Sequence, residues 1–103
     1  MDIIHKCMEM TSFGGEAKSL ALLAIEQARN GNFEQAEVSM EKSAESLKKS
    51  HQAHTDLLSR EADEEELQVS LFMVHAADHL TSANLIHLLA EELIYLHKGV
   101  KHV

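Results

Sequence analysis

Proline is missing from this chain of 103 residues, and so is tryptophan. Without proline, no helix has to be interrupted for want of an N–H donor. Aromatic residues amount to three Phe and one Tyr, so a core must be built from Leu, Ile, Val, Met and Ala, as in helix-on-helix packing. Nowhere do Val, Ile and Thr alternate as strands require. The one cysteine, Cys7, has no mate for an internal disulfide, which suits a reducing compartment. Positive charge is short as well: nine Lys and Arg stand against seventeen Asp and Glu, a net charge of −8. So acidic a chain lacks the basic stripe of a nucleic-acid binder and is not drawn to an anionic membrane surface. The longest wholly apolar run, Leu20–Ile25, is too short to span a bilayer, and no basic-then-apolar leader opens the chain. These absences leave one all-α domain over residues 1–103, expected in the cytoplasm, with neither nucleic acid nor membrane insertion.

What is present divides into three helical stretches. In Asn30-Gly31-Asn32, Gly31 can take the left-handed conformation that ends a helix, and Asn32 with Gln35 forms a capping box for the next. A second break falls in the acidic run Glu61–Glu66, which holds five of the seventeen acids and offers Asp63 with Glu66 as another box. Cations at Lys98, Lys101 and His102 suit a helix end. The pattern predicts helices over 3–29, 33–59 and 64–100. Connections this short predict an antiparallel three-helix bundle.

Gly14, Ala17, Ala21, Ala24 and Ala28 give the first helix a face of small residues, which lets a neighbouring backbone come close. Gly14-Gly15 is a weak point within it, since each helical glycine costs about 1 kcal/mol relative to alanine. In the second helix a stripe at three- and four-residue spacing runs through Phe33, Ala36, Met40, Ala44, Leu47, His51, His54 and Leu58, and is expected to face the core. The third helix carries two apolar faces. Leu71, Val74, Asp78, Ser82, Leu85, Leu89 and Leu96 form one seam; Phe72, Ala76, Leu80, Ala83, Ile86, Ala90 and Ile94 form the other. A helix apolar over most of its girth is buried on most sides. Two partner helices cover only part of it, so self-association around the third helix is expected.

Asp78 is the anomaly, a carboxylate in the middle of an apolar seam. If copies of the helix pack about a symmetry axis, their Asp78 side chains meet, and like charges there need a counter-charge. A hard divalent cation with oxygen ligands supplies one. His75 lies one turn before Asp78, near enough for the carboxylate to orient its imidazole as a nucleophile, and His79 follows one turn after His75. Counting from a hairpin turn near residue 63 puts His51 at the height of His75, with His54 one turn nearer the turn. Three or four imidazoles are thus expected at one level. Taken alone, His51 and His54 read more readily as a hydrogen-bonded core pair than as ligands. His75 and His79 would be half of a zinc site, without further ligands at matching spacing. The five methionines read as core filler, and His5, His87, His97 and His102 have no partners that single them out.

The segment Leu71-Phe72-Met73-Val74-His75-Ala76-Ala77-Asp78-His79-Leu80-Thr81 resembles the signature of the enzyme IIA component of the lactose/cellobiose-type sugar phosphotransferase system. The resemblance extends to Gly15-Glu16-Ala17-Lys18-Ser19, Asn30-Gly31-Asn32-Phe33, His51 through Thr55, and Leu57-Leu58-Ser59-Arg60-Glu61-Ala62. It implies a cytoplasmic three-helix chain that assembles as a homotrimer, a nine-helix bundle. It implies that His75 accepts a phosphoryl group from the phosphocarrier protein HPr on Nε2 and passes it to a cysteine of the IIB component. From there the group reaches a β-disaccharide entering through the membrane component. It also implies that Asp78 meets its two symmetry mates around a metal ion, Mg2+. His79, His51 and His54 are the candidate supporting residues. Two positions depart from the family: Ala77 stands where Gln is usual before the Asp, and His54 where Gln is common. Both lost amides are potential hydrogen-bond donors at the active centre. The competing readings are a histidine phosphotransfer domain of two-component signalling and a non-enzymatic metal-binding helical oligomer.

Overall fold

The computed structural model describes residues 2–63 and 71–100, the side chains of 60–63 excepted. Three helices, α1 (Ile3–Arg29), α2 (Phe33–Asp63) and α3 (Leu71–Gly99), make up the fold, and no strand occurs among the described residues. Asp2 caps α1, its carboxylate accepting from the Ile4 amide at 3.0 Å. At the other end Gly31 takes φ +81°, the Gly31 amide donates to the Ala28 carbonyl at 3.0 Å, and the Asn32 amide donates to Gln27 at 2.8 Å. This pair of bonds is the Schellman ending that the left-handed glycine permits. The Asn32 carbonyl then accepts the first bond of α2, from Ala36 at 3.0 Å.

The second break differs from expectation. Helix α2 continues four residues past 59, through Asp63, so Asp63 lies in the second helix rather than capping the third. Glu66, the start of a third helix at 64, Lys101 and His102 lie outside the described residues.

Contacts fix the directions. Gln27 meets Ser39, Ala17 meets Ser43, and Met10 meets Ser50, so α1 and α2 are antiparallel. Lys18 meets Ser82 while Gly14 meets His79, so α1 and α3 run the same way. The bundle is the expected antiparallel one.

The α1 face is as read: Gly14, Ala17, Ala21, Ala24 and Ala28 are all buried, extended by Cys7 and Met10. The α2 face is rotated from the expected stripe. Its buried line is Ala36, Ser39, Ser43, Ser46, Leu47, Ser50, Ala53 and Leu57, while Ala44, His51 and Leu58 are exposed. Serines take these places because their hydroxyls are satisfied at once by α1. Ser50 donates to the Met10 carbonyl at 2.8 Å, Ser43 to the Ala17 carbonyl at 2.7 Å, and Ser39 to the Gln27 side-chain oxygen at 2.7 Å. Each such bond contributes about 0.5–1.5 kcal/mol net, and a small side chain lets the two backbones approach.

Of the two apolar faces of α3, the chain uses one. Ala76, Leu80, Ala83, Ala90 and Ile94 are buried with His87, whereas Leu71, Val74, Leu85, Leu89 and Leu96 of the Asp78 seam are between 51% and 84% exposed. Singly scattered exposed apolar residues are ordinary on a protein surface, but a contiguous apolar line of this length is not.

Candidate functional site

Position along α3 and the pitch of the helix place His75 on one flank of the Asp78 seam, at the edge nearer α1. The His75 side chain stands exposed between two depressions. One, of about 610 Å³, is lined by Leu71, Phe72, Val74, His75 and Asp78 and is almost wholly apolar apart from the last two. The other, of about 280 Å³, lies between His75 and Phe72 of α3 and Cys7, Met8, Thr11 and Ser12 of α1. Burial pushes the Cys7 thiol pKa up, so this cysteine is kept protonated and inert.

His79 packs edge-on against His75, with ring centroids 4.5 Å apart and an interplanar angle of 79°. Its backbone is pinned from the other side. The His79 carbonyl accepts from Ser82 Oγ at 3.2 Å, and Lys18 Nζ donates to that hydroxyl at 3.3 Å. Gly14 faces the same carbonyl so closely that a Cβ there would lie 3.3 Å from the oxygen. Burial, reinforced by His75 and Lys18 and opposed by Asp78, lowers the pKa of His79 and favours the neutral imidazole. Its Nδ1 is buried without a hydrogen-bond partner. A buried N–H is seldom left unpaired, so the ring proton belongs on Nε2 and Nδ1 carries the lone pair.

The expected cluster of imidazoles is only partly assembled. Ser43 lies beside His87, and His54 lines a depression of about 210 Å³ with Met73, Val74 and Ala77 of α3. This register sets His54 level with His75. His51 is one turn farther along and exposed on α2, away from the expected core face. Its exposure follows from the rotation of the α2 face, whose buried line runs through Ser46, Ser50 and Ala53 instead. His54 is half-buried, on the opposite flank of the seam from His75. Asp78 is exposed between the two flanks, so its desolvation penalty would arise only when the seam is covered. Among the described residues no three His, Cys, Asp or Glu side chains of one chain come together to hold a metal ion.

One histidine that had shown no distinguishing partner proves to be structural. His87 is buried; its Nδ1 lies 2.9 Å from Ser43 Oγ and its Nε2 3.2 Å from Glu91 Oε1. The single hydroxyl proton of Ser43 goes to the Ala17 carbonyl, so His87 must donate through Nδ1–H. The i,i+4 spacing to Glu91 is readable in the sequence, but the burial of His87 depends on Ser43, 44 residues away, which no local pattern marks.

Residues 5–98 match the model of the family described as the lactose/cellobiose-specific IIA subunit of the PTS system. The chain is 42% identical over 93 residues to the galactose-specific EIIA component of the PTS in Lactococcus lactis subsp. cremoris, covering 90% of this chain and 80% of that one. The crystal structure of the PTS cellobiose-specific enzyme IIA from Bacillus anthracis superposes with a TM-score of 0.90 at 30% identity, covering 96% and 91% of the two chains. A solution structure of the IIA(chitobiose)–HPr complex from the N,N'-diacetylchitobiose branch of the Escherichia coli phosphotransferase system gives 0.83 at 35% identity, covering 96% of each. Among the described residues no helix is long and apolar enough to cross a membrane.

Proposed function

The chain belongs to the lactose/cellobiose-specific IIA family of the sugar phosphotransferase system, and from that premise we propose that His75 is its phosphoryl-carrying residue. The observation that carries the reading is the setting of His75: an exposed imidazole at the rim of an apolar depression, braced by the neutral His79 ring. An apolar rim suits the face of a partner protein, and the related IIA(chitobiose) chain is found in complex with HPr. HPr is therefore the donor. The Nε2 lone pair of His75 attacks phosphorus in line, the P–N bond of the donor breaks as the new P–N bond forms, and catalysis is largely positioning and charge stabilisation. The acceptor is a cysteine thiolate of the IIB component, which cleaves the P–N bond in turn. The final recipient is a β-disaccharide, and the protein works in the cytoplasm.

A phosphoryl group on His75 brings roughly two negative charges to an already acidic chain. The Nε2–H of His79 is the donor nearest to hand. The exposed seam supports a homotrimer with α3 at the centre, a nine-helix bundle. There Asp78 of each subunit would supply one carboxylate, a donor set suited to Mg2+ or another hard divalent cation. That cation would offset two of the three like charges and organise the assembly, and it takes no part in transfer.

Phosphorylation by purified enzyme I and HPr, followed by mapping of the modified residue, tests the reading. Label is expected on His75 and absent from His75→Ala. Continued labelling of the His75→Ala chain would overturn it. A histidine phosphotransfer domain would take label from a two-component kinase instead, and a purely metal-binding oligomer would take none.

A further inference from the structure

We propose that Thr11 of α1 donates a hydrogen bond from Oγ1 to the phosphoryl group on His75, holding that group in the depression between α1 and α3. The proposal rests on His75 as the phosphoryl carrier and adds a residue to its site.

The register of the two helices brings Thr11 to His75. Helices α1 and α3 run in the same direction, with Gly14 against the His79 carbonyl and Lys18 Nζ 3.3 Å from Ser82 Oγ. A step of seven residues makes two turns with a lag of about 20°, so taking it on both helices keeps height and face. From Lys18 the step back reaches Thr11, and from Ser82 it reaches His75. Thr11 therefore stands to His75 as Lys18 stands to Ser82. Side chains on both helices lean toward their N-termini, and because the helices are parallel this lean leaves the two level. Both residues line the depression of about 280 Å³ between the helices. Ser12 lines it too, but lies about 100° farther round α1 and is exposed, whereas Thr11 is half-buried.

Chemistry singles out the same residue. A phosphoryl group with roughly two negative charges needs hydrogen-bond donors around it. Among the described residues no Lys or Arg lines either depression beside His75. Their polar members apart from His75 are Cys7, a weak donor, Asp78, which accepts but cannot donate while ionised, and the two hydroxyls. A helical threonine commonly turns its hydroxyl back to the carbonyl one turn earlier. Thr11 Oγ1 makes no such bond among the described residues, so its proton is free for a group held on His75. With the Nε2–H of His79 it gives the phosphoryl oxygens two neutral donors.

The test is the equilibrium of phosphoryl exchange between phospho-HPr and the full chain, measured for wild type, Thr11→Val and Thr11→Ser. Valine keeps the branched shape and removes the hydroxyl; serine keeps a hydroxyl and loses the methyl group. Thr11→Val is expected to shift the equilibrium about tenfold toward phospho-HPr, the effect of losing one hydrogen bond to a charged group. Thr11→Ser is expected to stay within about threefold of wild type. The fold itself should not suffer in Thr11→Val, because the half-buried hydroxyl it removes holds no other group. A Thr11→Val equilibrium within about twofold of wild type overturns the proposal, and so does a Thr11→Ser chain no better than Thr11→Val. A slower approach to an unchanged equilibrium also overturns it, since Thr11 would then act on HPr docking and not on the phosphoryl group. Failure of the wild-type chain to take label on His75 would instead strike the relay reading beneath it.

Discussion

Replacing Gly14 by alanine weighs two effects of opposite sign against each other. In the middle of α1, alanine gains about 1 kcal/mol over glycine from helix propensity alone. At Gly14 that gain meets an obstacle, because the new Cβ would lie 3.3 Å from the His79 carbonyl oxygen, 3.4 Å from its carbon and 3.5 Å from Ser50 Oγ. The first two belong to the backbone of α3, which cannot swing aside as a side-chain tip can, so α1 and α3 must part by a few tenths of an ångström. Crowding of this kind costs about 1–3 kcal/mol. Gly15 is the internal control, with nothing within 4 Å of its added Cβ. Gly15→Ala should therefore stabilise by about 1 kcal/mol and Gly14→Ala destabilise by about 1 kcal/mol, a gap of about 2 kcal/mol. For a domain of this size the gap corresponds to roughly 8–16 °C between the two melting temperatures. Urea melts followed by circular dichroism, at one fixed subunit concentration, measure it, since stability of an assembling chain varies with concentration. A Gly14→Ala chain as stable as Gly15→Ala would refute the close approach of α1 to His79.

Three further outcomes follow from particular contacts. Ser43→Ala strips the acceptor from the buried Nδ1–H of His87 and a donor from the Ala17 carbonyl, and should cost about 1–3 kcal/mol in urea denaturation; an unchanged midpoint would contradict the assigned Nδ1–H donor. In an NMR titration, His79 should protonate below the ordinary imidazole range, since burial, His75 and Lys18 all disfavour its charged form. The unfolded chain then takes up this proton at higher pH than the folded one, so the contribution of His79 to stability falls as pH drops through that range; a raised His79 value would reverse the sign. Asp78→Leu should give trimers that withstand a chelator, bind no divalent cation and still accept label on His75, whereas wild-type trimers weaken; analytical ultracentrifugation with metal analysis reads both, and wild-type trimers indifferent to chelation would count against the carboxylate–cation centre.

The sequence was most legible where burial and chemistry depend on position along one helix. The small-residue face of α1 and most of the second apolar face of α3 are legible from spacing alone and are buried as expected, although Phe72 of that second face is exposed and Ile86 only half-buried, while the Asp78 seam stands exposed. Helix α2 was misread by a rotation, because hydropathy scores serine as polar. Ser43 and Ser50 are fully buried only because carbonyls of Ala17 and Met10 wait for them, 26 and 40 residues away. That rotation carried His51 out to solvent and left His54 alone at the level of His75. Gly14 was read as a weak point for the same reason: its purpose is the backbone of His79, 65 positions later, which no local pattern announces.

Among the described residues the buried ones are largely Ala and Ser, with Leu47, Leu57 and Leu80 among the few large members, while nine other leucines stand at least 40% exposed. Apolar burial is the main favourable term in folding, and alanine supplies little of it per residue. A lone chain therefore has little to set against the entropy lost in ordering three helices of 27, 31 and 29 residues. Much of its capacity to exclude water lies on exposed surfaces, which the proposed trimer would close. Folding and association should accordingly be one event: dilution should yield unfolded chains rather than folded single ones, and refolding should quicken as subunit concentration rises. A carrier organised in this way would withhold its phosphoryl site until every copy around that site is in place.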